Sequence, residues 1–398
     1  MEQELSVLQN KASEHVYYFD WLRFMSCFFV VFMHVAASPI RSLPIGSFEW
    51  ELCNIFIGLS FTAVPLFFMM SGYLILSNPK TMDYSVFFKR RLPKLLVPLL
   101  CWPILATIMF SPKSVTLNGL WTMFIDTLYF PQEVHLWYIY TLIALYFFAP
   151  ILCAGLKALN KQAKDIIFIT IIIVEVIFTI TTTIPNFPYK LSFDIVDKLA
   201  ILNGDLLVFF LGYFLGKMKT RIPLASLLIA TLASFTIIVW GTHSVSMSSN
   251  TYIQTFVNQH KGAEILLAAC LFLLFKQYAS KKTKLNAVFP VVPLSMGIYF
   301  IHIYVIYHFN KYVHVCTGFF DALLVSLIIF SISYIIAKSF ASIKFLSYCT
   351  LGMEYEEACK TCNFIYTFKY HKAIRINRKK AKTRNLLEDK KEQSETQT

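Results

Sequence analysis

Asp20, Arg23 and His34 stand in the stretch "YYFDWLRFMSCFFVVFMHV" (17–35), where nearly every other side chain suits a helix in lipid. A charge at the centre of a bilayer costs about 2.5–3.5 kcal/mol on insertion scales. Arg23 and His34 are eleven residues apart. At about 100° per residue they return to within roughly 20° of the same helix face, about 16 Å apart along the axis. Asp20 lies one turn before Arg23 on nearly that face, and its ordinary role is a local ion pair that makes Arg23 tolerable at the interface. His34 taken alone reads as a satisfied core histidine. The shared face points elsewhere: a cation near one end and an imidazole deeper suit a ligand with a charged end in the cytosol and a reactive end in the membrane. A neutral imidazole can take a proton from a hydroxyl and return it to a leaving group.

Other stretches could join that chemistry. "FFKRRLPKLLVP" (87–98) gathers Lys89, Arg90, Arg91 and Lys94. Such a cluster anchors topology, and Arg forks also match phosphate oxygens, so it doubles as a candidate phosphate clamp. "VPLFFMMSGYLIL" (64–76) carries Pro65, which can kink a helix, and the Ser71-Gly72 pair, which lets another helix approach closely. "HLWYIYTLIALYF" (135–147) opens with Trp137, Tyr138 and Tyr140, by default an aromatic belt. "SMGIYFIH" (295–302) places His302 in an apolar run. Glu175, Asp205 and Glu264 are further acids in apolar surroundings; each either binds substrate or pairs within the protein.

The elements that position these residues must be membrane helices. The chain has 398 residues, is 57% hydrophobic and only 15% charged, against about a quarter charged in a soluble domain. Its mean hydropathy is +0.58. Ten apolar segments run at approximately 17–38, 52–77, 92–110, 135–155, 165–184, 199–217, 222–241, 260–279, 288–309 and 320–342. Each is near the roughly 20 residues that cross the hydrocarbon core. The basic residues alternate: Lys80, Lys89, Arg90 and Arg91 follow segment two, then Lys157, Lys161 and Lys164, then Lys217, Lys219 and Arg221, then Lys281, Lys282 and Lys284. The intervening connections are poor, with Arg41 alone in the first. That pattern puts both termini in the cytoplasm. The expected architecture is all-α and polytopic with about ten transmembrane helices: a cytoplasmic segment 1–16, a membrane domain 17–344 and a basic, partly disordered cytoplasmic tail 345–398.

Several classes fall away. The net charge of +13 is explained by the alternating loops, so nucleic acid is not an expected partner, whereas membrane lipid is. The nine cysteines form no secreted framework, and most sit in apolar runs as small hydrophobes. Cys359-Lys-Thr-Cys362 has ligand spacing but no second pair follows it, so no metal is expected. The N-terminus has Glu2, Glu4 and Glu14 in place of a basic n-region, which argues against a cleavable signal peptide.

The stretches "FDWLRFMSCFFVVFMHV", "PLFFMMSGYL", "KRRLPKLLVP", "HLWYIYTLIALY" and "SMGIYFIH" occur together and in this order. In them the chain resembles the integral-membrane acyltransferase 3 family, which includes bacterial O-acetyltransferases acting on cell-surface glycans. The most specific match is the arginine-ten-residues-histidine spacing of Arg23 and His34. The family often has Arg-x-x-Arg at the start of its third helix, where this chain has Arg91-Leu-Pro-Lys94. The charge is kept, but one bidentate fork is lost.

The resemblance implies an inner (plasma) membrane, multi-pass O-acetyltransferase of polysaccharide biosynthesis. The acyl, usually acetyl, would pass from acetyl-CoA to a hydroxyl of a glycan or lipid-linked sugar. His34 would be the catalytic base. Arg23, Arg90, Arg91 and Lys94 would hold the acyl-CoA phosphates. Ser71, Trp137, His302 and Asp20 are candidates for the acceptor or for the oxyanion. A transporter or flippase of a glycan or lipid-linked precursor is the rival class, and it would favour two matching halves with broken helices; the sequence carries no such symmetry.

Overall fold

The computed structural model describes residues 16–110, 116–183, 204–258, 260, 262–280 and 291–354. The expected N-terminal segment, the Lys281–Lys284 cluster, Cys359, Cys362 and the basic tail sequence lie outside the described residues. Within them the regular structure is helical: α1 (Tyr17–Val35), α2 (Pro39–Ser42), α3 (Phe48–Ser60), α4 (Ala63–Leu76), α5 (Tyr84–Arg90), α6 (Pro93–Phe110), α7 (Leu117–Tyr129), α8 (Trp137–Ala158), α9 (Lys161–Thr183), α10 (Gly204–Lys217), α11 (Leu224–Ser249), α12 (Ala263–Tyr278), α13 (Ser295–Tyr312), α14 (Phe319–Ala341) and α15 (Lys344–Leu351).

Seven stretches are long and apolar enough to cross a membrane: Tyr17–Ser42, Phe48–Leu76, Phe87–Ile108, Val134–Ala158, Leu224–Ser249, Val292–Tyr312 and Phe319–Ala341. The other three expected segments are helical where they are described, as α9, α10 and α12. Within the described residues α10 has 14 residues and α12 has 16, and residues 184–203, 259 and 261 just before them lie outside those described. α9 has 23 residues, and of its charges Lys161, Lys164 and Asp165 stand at its start, leaving Glu175 alone in the apolar run that follows. The apolar exterior fits a lipid solvent. Phe147, Phe148 and Ile151 on α8, Leu228, Ile229 and Leu232 on α11, and Leu324, Leu327 and Ile335 on α14 are all exposed. Apolar surface so continuous does not occur on a water-soluble monomer.

α1 lies at the centre, packed against α3, α4, α12, α13 and α14. α13 runs parallel to it: Cys27 Sγ approaches Ser295 O at 3.8 Å, and seven residues further on both helices the His34 and His302 rings meet. The second apolar segment splits into α3 and α4 around Phe61 and Thr62, four residues before Pro65. The proline ring lacks an N–H and crowds the carbonyl four residues back, which breaks the ladder there. Gly72 of α4 lies against the backbone of Phe209 in α10, where any Cβ would collide with the Phe209 carbonyl. The Ser71-Gly72 pair therefore does make the close helix approach that small residues allow.

The expected tail boundary at 344/345 cuts through packed structure. α15 follows α14 directly and packs on α6. The buried Trp102 Nε1–H donates to Thr350 O at 2.9 Å. Gly352, at φ 62°, closes the helix against the Lys94 carbonyl, a left-handed position that favours glycine.

Candidate active site

Three histidines converge from three elements. His34 is near the end of α1, and His302 is on the facing turn of α13, with ring centroids 5.3 Å apart. His135 sits on the 3-10 turn Val134–Leu136 that precedes α8, 5.1 Å from the His302 ring. Tyr299, one turn before His302, donates its hydroxyl to the His135 carbonyl and so ties that turn to α13. His302 and His135 are buried. His302 Nδ1 lies 3.2 Å from Ile298 O. A carbonyl only accepts, so Nδ1 carries the proton there and Nε2 keeps a lone pair. His34 Nε2, His302 Nε2 and both nitrogens of His135 are buried without a hydrogen-bond partner. Buried polar atoms left open in this way cost free energy, so a native protein that keeps several together has a use for them. No group of three or more His, Cys, Asp or Glu among the described residues is arranged to hold a metal ion.

The cluster forms the wall of a cavity of about 320 Å³. His34 and His135 line it, together with Trp137 and Tyr138 of α8, Phe67 of α4 and Tyr299 of α13. Arg41 of α2 and Gln254, from the connection between α11 and α12, line it too.

Toward the other end of α1, Arg23 lies in the electrostatic field of Asp20, Tyr146 and Tyr138. Tyr146 lies in the fields of both Arg23 and the exposed Arg91. Tyr138 joins the two ends. It lines the cavity, it is a hydrogen-bond partner of Ser71, it interacts with Arg23, and its ring is 5.8 Å from that of Tyr299. A polar line therefore runs from Arg91 and Arg23 through Tyr146 and Tyr138 to Tyr299 and the histidines, across an otherwise apolar bundle.

The structure thus gathers most of the residues expected from sequence. Asp20, Arg23, Arg91, Ser71, Trp137, His34 and His302 lie on this line or beside it. Arg90 is exposed, and Lys94 is half-buried in the first turn of α6 with its backbone against Gly352. Two of the three intramembrane acids pair within the bundle. Asp205 Oδ1 meets His260 Nδ1 at 2.9 Å, and Glu175 Oε2 accepts from Gly262 N at 3.0 Å. Glu264 is buried with neither carboxylate oxygen hydrogen-bonded.

His135, Tyr299, Arg41 and His260, the partner of Asp205, were not named as site residues from sequence. His135 and Tyr299 reach the site only through contacts far apart in sequence. Arg41 did carry a signal, as the lone basic residue in a connection where basic residues are scarce. His260 reaches the site in the same way as His135, its ring 4.9 Å from that of Trp137, an expected acceptor contact.

The family model of an acyltransferase domain, acyltransferase 3, matches residues 16–338, which takes in α1 and nearly all of α14. No curated protein and no solved structure matches the chain.

Proposed function

The chain belongs to the acyltransferase 3 family, and from that premise we propose that it moves an acetyl group from cytosolic acetyl-CoA to a hydroxyl of a surface glycan or lipid-linked sugar. The membrane acyltransferase is given by the family and by the apolar helices. The donor, the acetyl group and the sugar acceptor are the reading that best suits the site.

One observation carries it: the polar line from Arg91 and Arg23 to the His34 cavity, bridged by Tyr138. The charge alternation assigns the Arg23 end to the cytoplasm, where acetyl-CoA is found, and the His34 end to the opposite side. Coenzyme A phosphates suit Arg23 and Arg91, with Arg90 and Lys94 close in sequence as further cations. Its long arm then carries the thioester along the line toward His34.

In the reaction the acceptor hydroxyl oxygen attacks the thioester carbonyl carbon. His34 takes the hydroxyl proton as the C–O bond forms. The C–S bond then breaks, and His34 returns the proton to the coenzyme A thiolate. Tyr138, with Ser71 as partner, is the donor best placed for the carbonyl oxygen as it becomes an oxyanion. His302 and His135 wall off the base and keep carboxylates away from it. Among the described residues Ser71 is the serine on this line, so direct transfer is the simplest course, with an acyl-enzyme on Ser71 as the alternative. The inner (plasma) membrane is the matching location.

Purified protein in nanodiscs with [14C]acetyl-CoA and a sugar acceptor tests the reading. Label should appear on the acceptor, with free coenzyme A in equal amount. A transporter would move its cargo with no thioester cleaved, and intact acetyl-CoA under all conditions would overturn the proposal.

A further inference from the structure

The cavity that His34 opens into has one full charge on its lining, and it is positive. Arg41 lines the same cavity of about 320 Å³, and no aspartate or glutamate does among the described residues. The side chain is exposed. One N–H reaches Ala37 O at 2.6 Å, and the guanidinium lies 5.9 Å from the centre of the Tyr252 ring. Ala37 O is the one hydrogen-bond acceptor Arg41 meets among the described residues, and a guanidinium has five N–H donors in a flat fork. The Tyr252 ring lies within cation–π reach of that guanidinium.

Two further facts bear on what that ligand is. Charge alternation keeps basic residues out of this connection, so Arg41 is not explained as a topology anchor. Beside it, Gln254 offers an amide to the cavity, while Trp137, Phe67 and Tyr299 give it flat apolar walls. The volume is at the low end of the roughly 300–1,000 Å³ of small-molecule pockets. It suits one sugar residue, with aromatic faces for its C–H surfaces, rather than an oligosaccharide.

We propose that the acceptor is anionic: a sugar residue carrying a carboxylate or a phosphate, which docks on Arg41 and so presents its hydroxyl to His34. The proposal rests on the acyltransfer reading above and names the substrate class of that same site. Carboxylate and phosphate share the chemistry that the Arg fork recognises, two oxygens in a plane. The uncharged rest of the cavity then selects the ring.

The test uses the full chain in nanodiscs and three probes: methyl glucuronide, glucose 1-phosphate and methyl glucoside. Binding is read by saturation-transfer NMR, and acetyl transfer by label from [14C]acetyl-CoA. Both anionic probes should bind more tightly than the neutral one, and raising the salt should weaken only the anions. Arg41→Gln should weaken the anionic probes about tenfold or more and leave methyl glucoside unchanged. Arg41→Lys should keep binding of the phosphate better than of the carboxylate if the natural group is a phosphate, since Lys binds phosphate as a point charge; a preference for the glucuronide lost in Arg41→Lys names the carboxylate. The salt series and Arg41→Lys decide the matter should Arg41→Gln fold poorly. Equal binding of neutral and anionic probes, or no anion binding at all, overturns the proposal. His34→Gln separates this from the acyltransfer reading: it should keep the anion preference and lose transfer. Anion preference in a wild-type protein that cleaves no acetyl-CoA would sink the acyltransfer reading and leave the anion site standing.

Discussion

Three histidines outside the central cluster sit on carboxylates. His243 meets Glu51 at 2.6 Å, His260 meets Asp205 at 2.9 Å, and His314 meets Asp321 at 2.6 Å. At the centre, His34, His135 and His302 meet one another, and buried ring nitrogens on all three have no partner. A carboxylate beside an imidazole occupies the nitrogen that faces it. An imidazole among imidazoles keeps an open lone pair, which is what proton abstraction from a hydroxyl requires. The same residue type thus has its nitrogens paired with carboxylates in one region and left open in the other, and the difference lies in the neighbours.

The largest effect should come from removing His34, the proposed base. His34→Ala and His34→Gln should each lower turnover by about 10²–10⁴-fold, the usual worth of general base catalysis. Melting in detergent and acetyl-CoA binding should stay near wild type. If His34 were only a core histidine, Gln would rescue activity and Ala would chiefly destabilise. An active His34→Gln enzyme therefore removes the functional half of the contrast.

The donor end should respond less. Arg91→Ala deletes one charge-assisted partner, worth about 1.5–3 kcal/mol, or roughly ten- to a hundredfold in KM for acetyl-CoA. Turnover at saturation should change little. The loss should shrink for acetyl donors that lack the nucleotide phosphates. Equal losses for full-length and truncated donors would reduce Arg91 to a topology anchor and separate it from the line that ends at His34.

How much of this was legible follows from the range of the interactions. Arg23 and His34 share one helix, so their common face follows from the helical repeat alone. The break at Pro65 and the close approach at Gly72 are likewise local consequences of residue type. α10 and α12 were read as helices from their apolar runs, and the structure has helices there. α15 carries "KFLSYCTL" (344–351), too short to give a period, and its packing depends on Trp102 and Gly352 meeting residues far away in sequence. The histidine cluster is the same case. His34 could be named from its helix. Its neighbours His302 and His135 come together only because α13 runs parallel to α1 and Tyr299 ties down the turn before α8. Spacing shows what a helix presents, and the tertiary fold decides what meets it.

The smallest effect is expected from a carboxylate-paired histidine, and it is the sharpest check on the contrast. His243 and Glu51 have side chains 29% and 30% exposed, so water screens their pair. Such pairs contribute about 0–1 kcal/mol. His243→Gln keeps a side chain that can hydrogen-bond to the Glu51 carboxylate and removes the imidazole. Acetyl transfer should then stay within about twofold of wild type, and the melting temperature should fall by no more than a few degrees, as an interaction of that size allows. Glu51→Gln should behave in the same way, and the double variant should cost little more than either single one, because both remove the same interaction. Transfer rates and detergent melting curves for the three proteins measure this directly. A fall in turnover on the scale of the His34 variants, with stability unchanged, would show that an imidazole held by a carboxylate also takes part in the chemistry, and the division between the two sets of histidines would be lost.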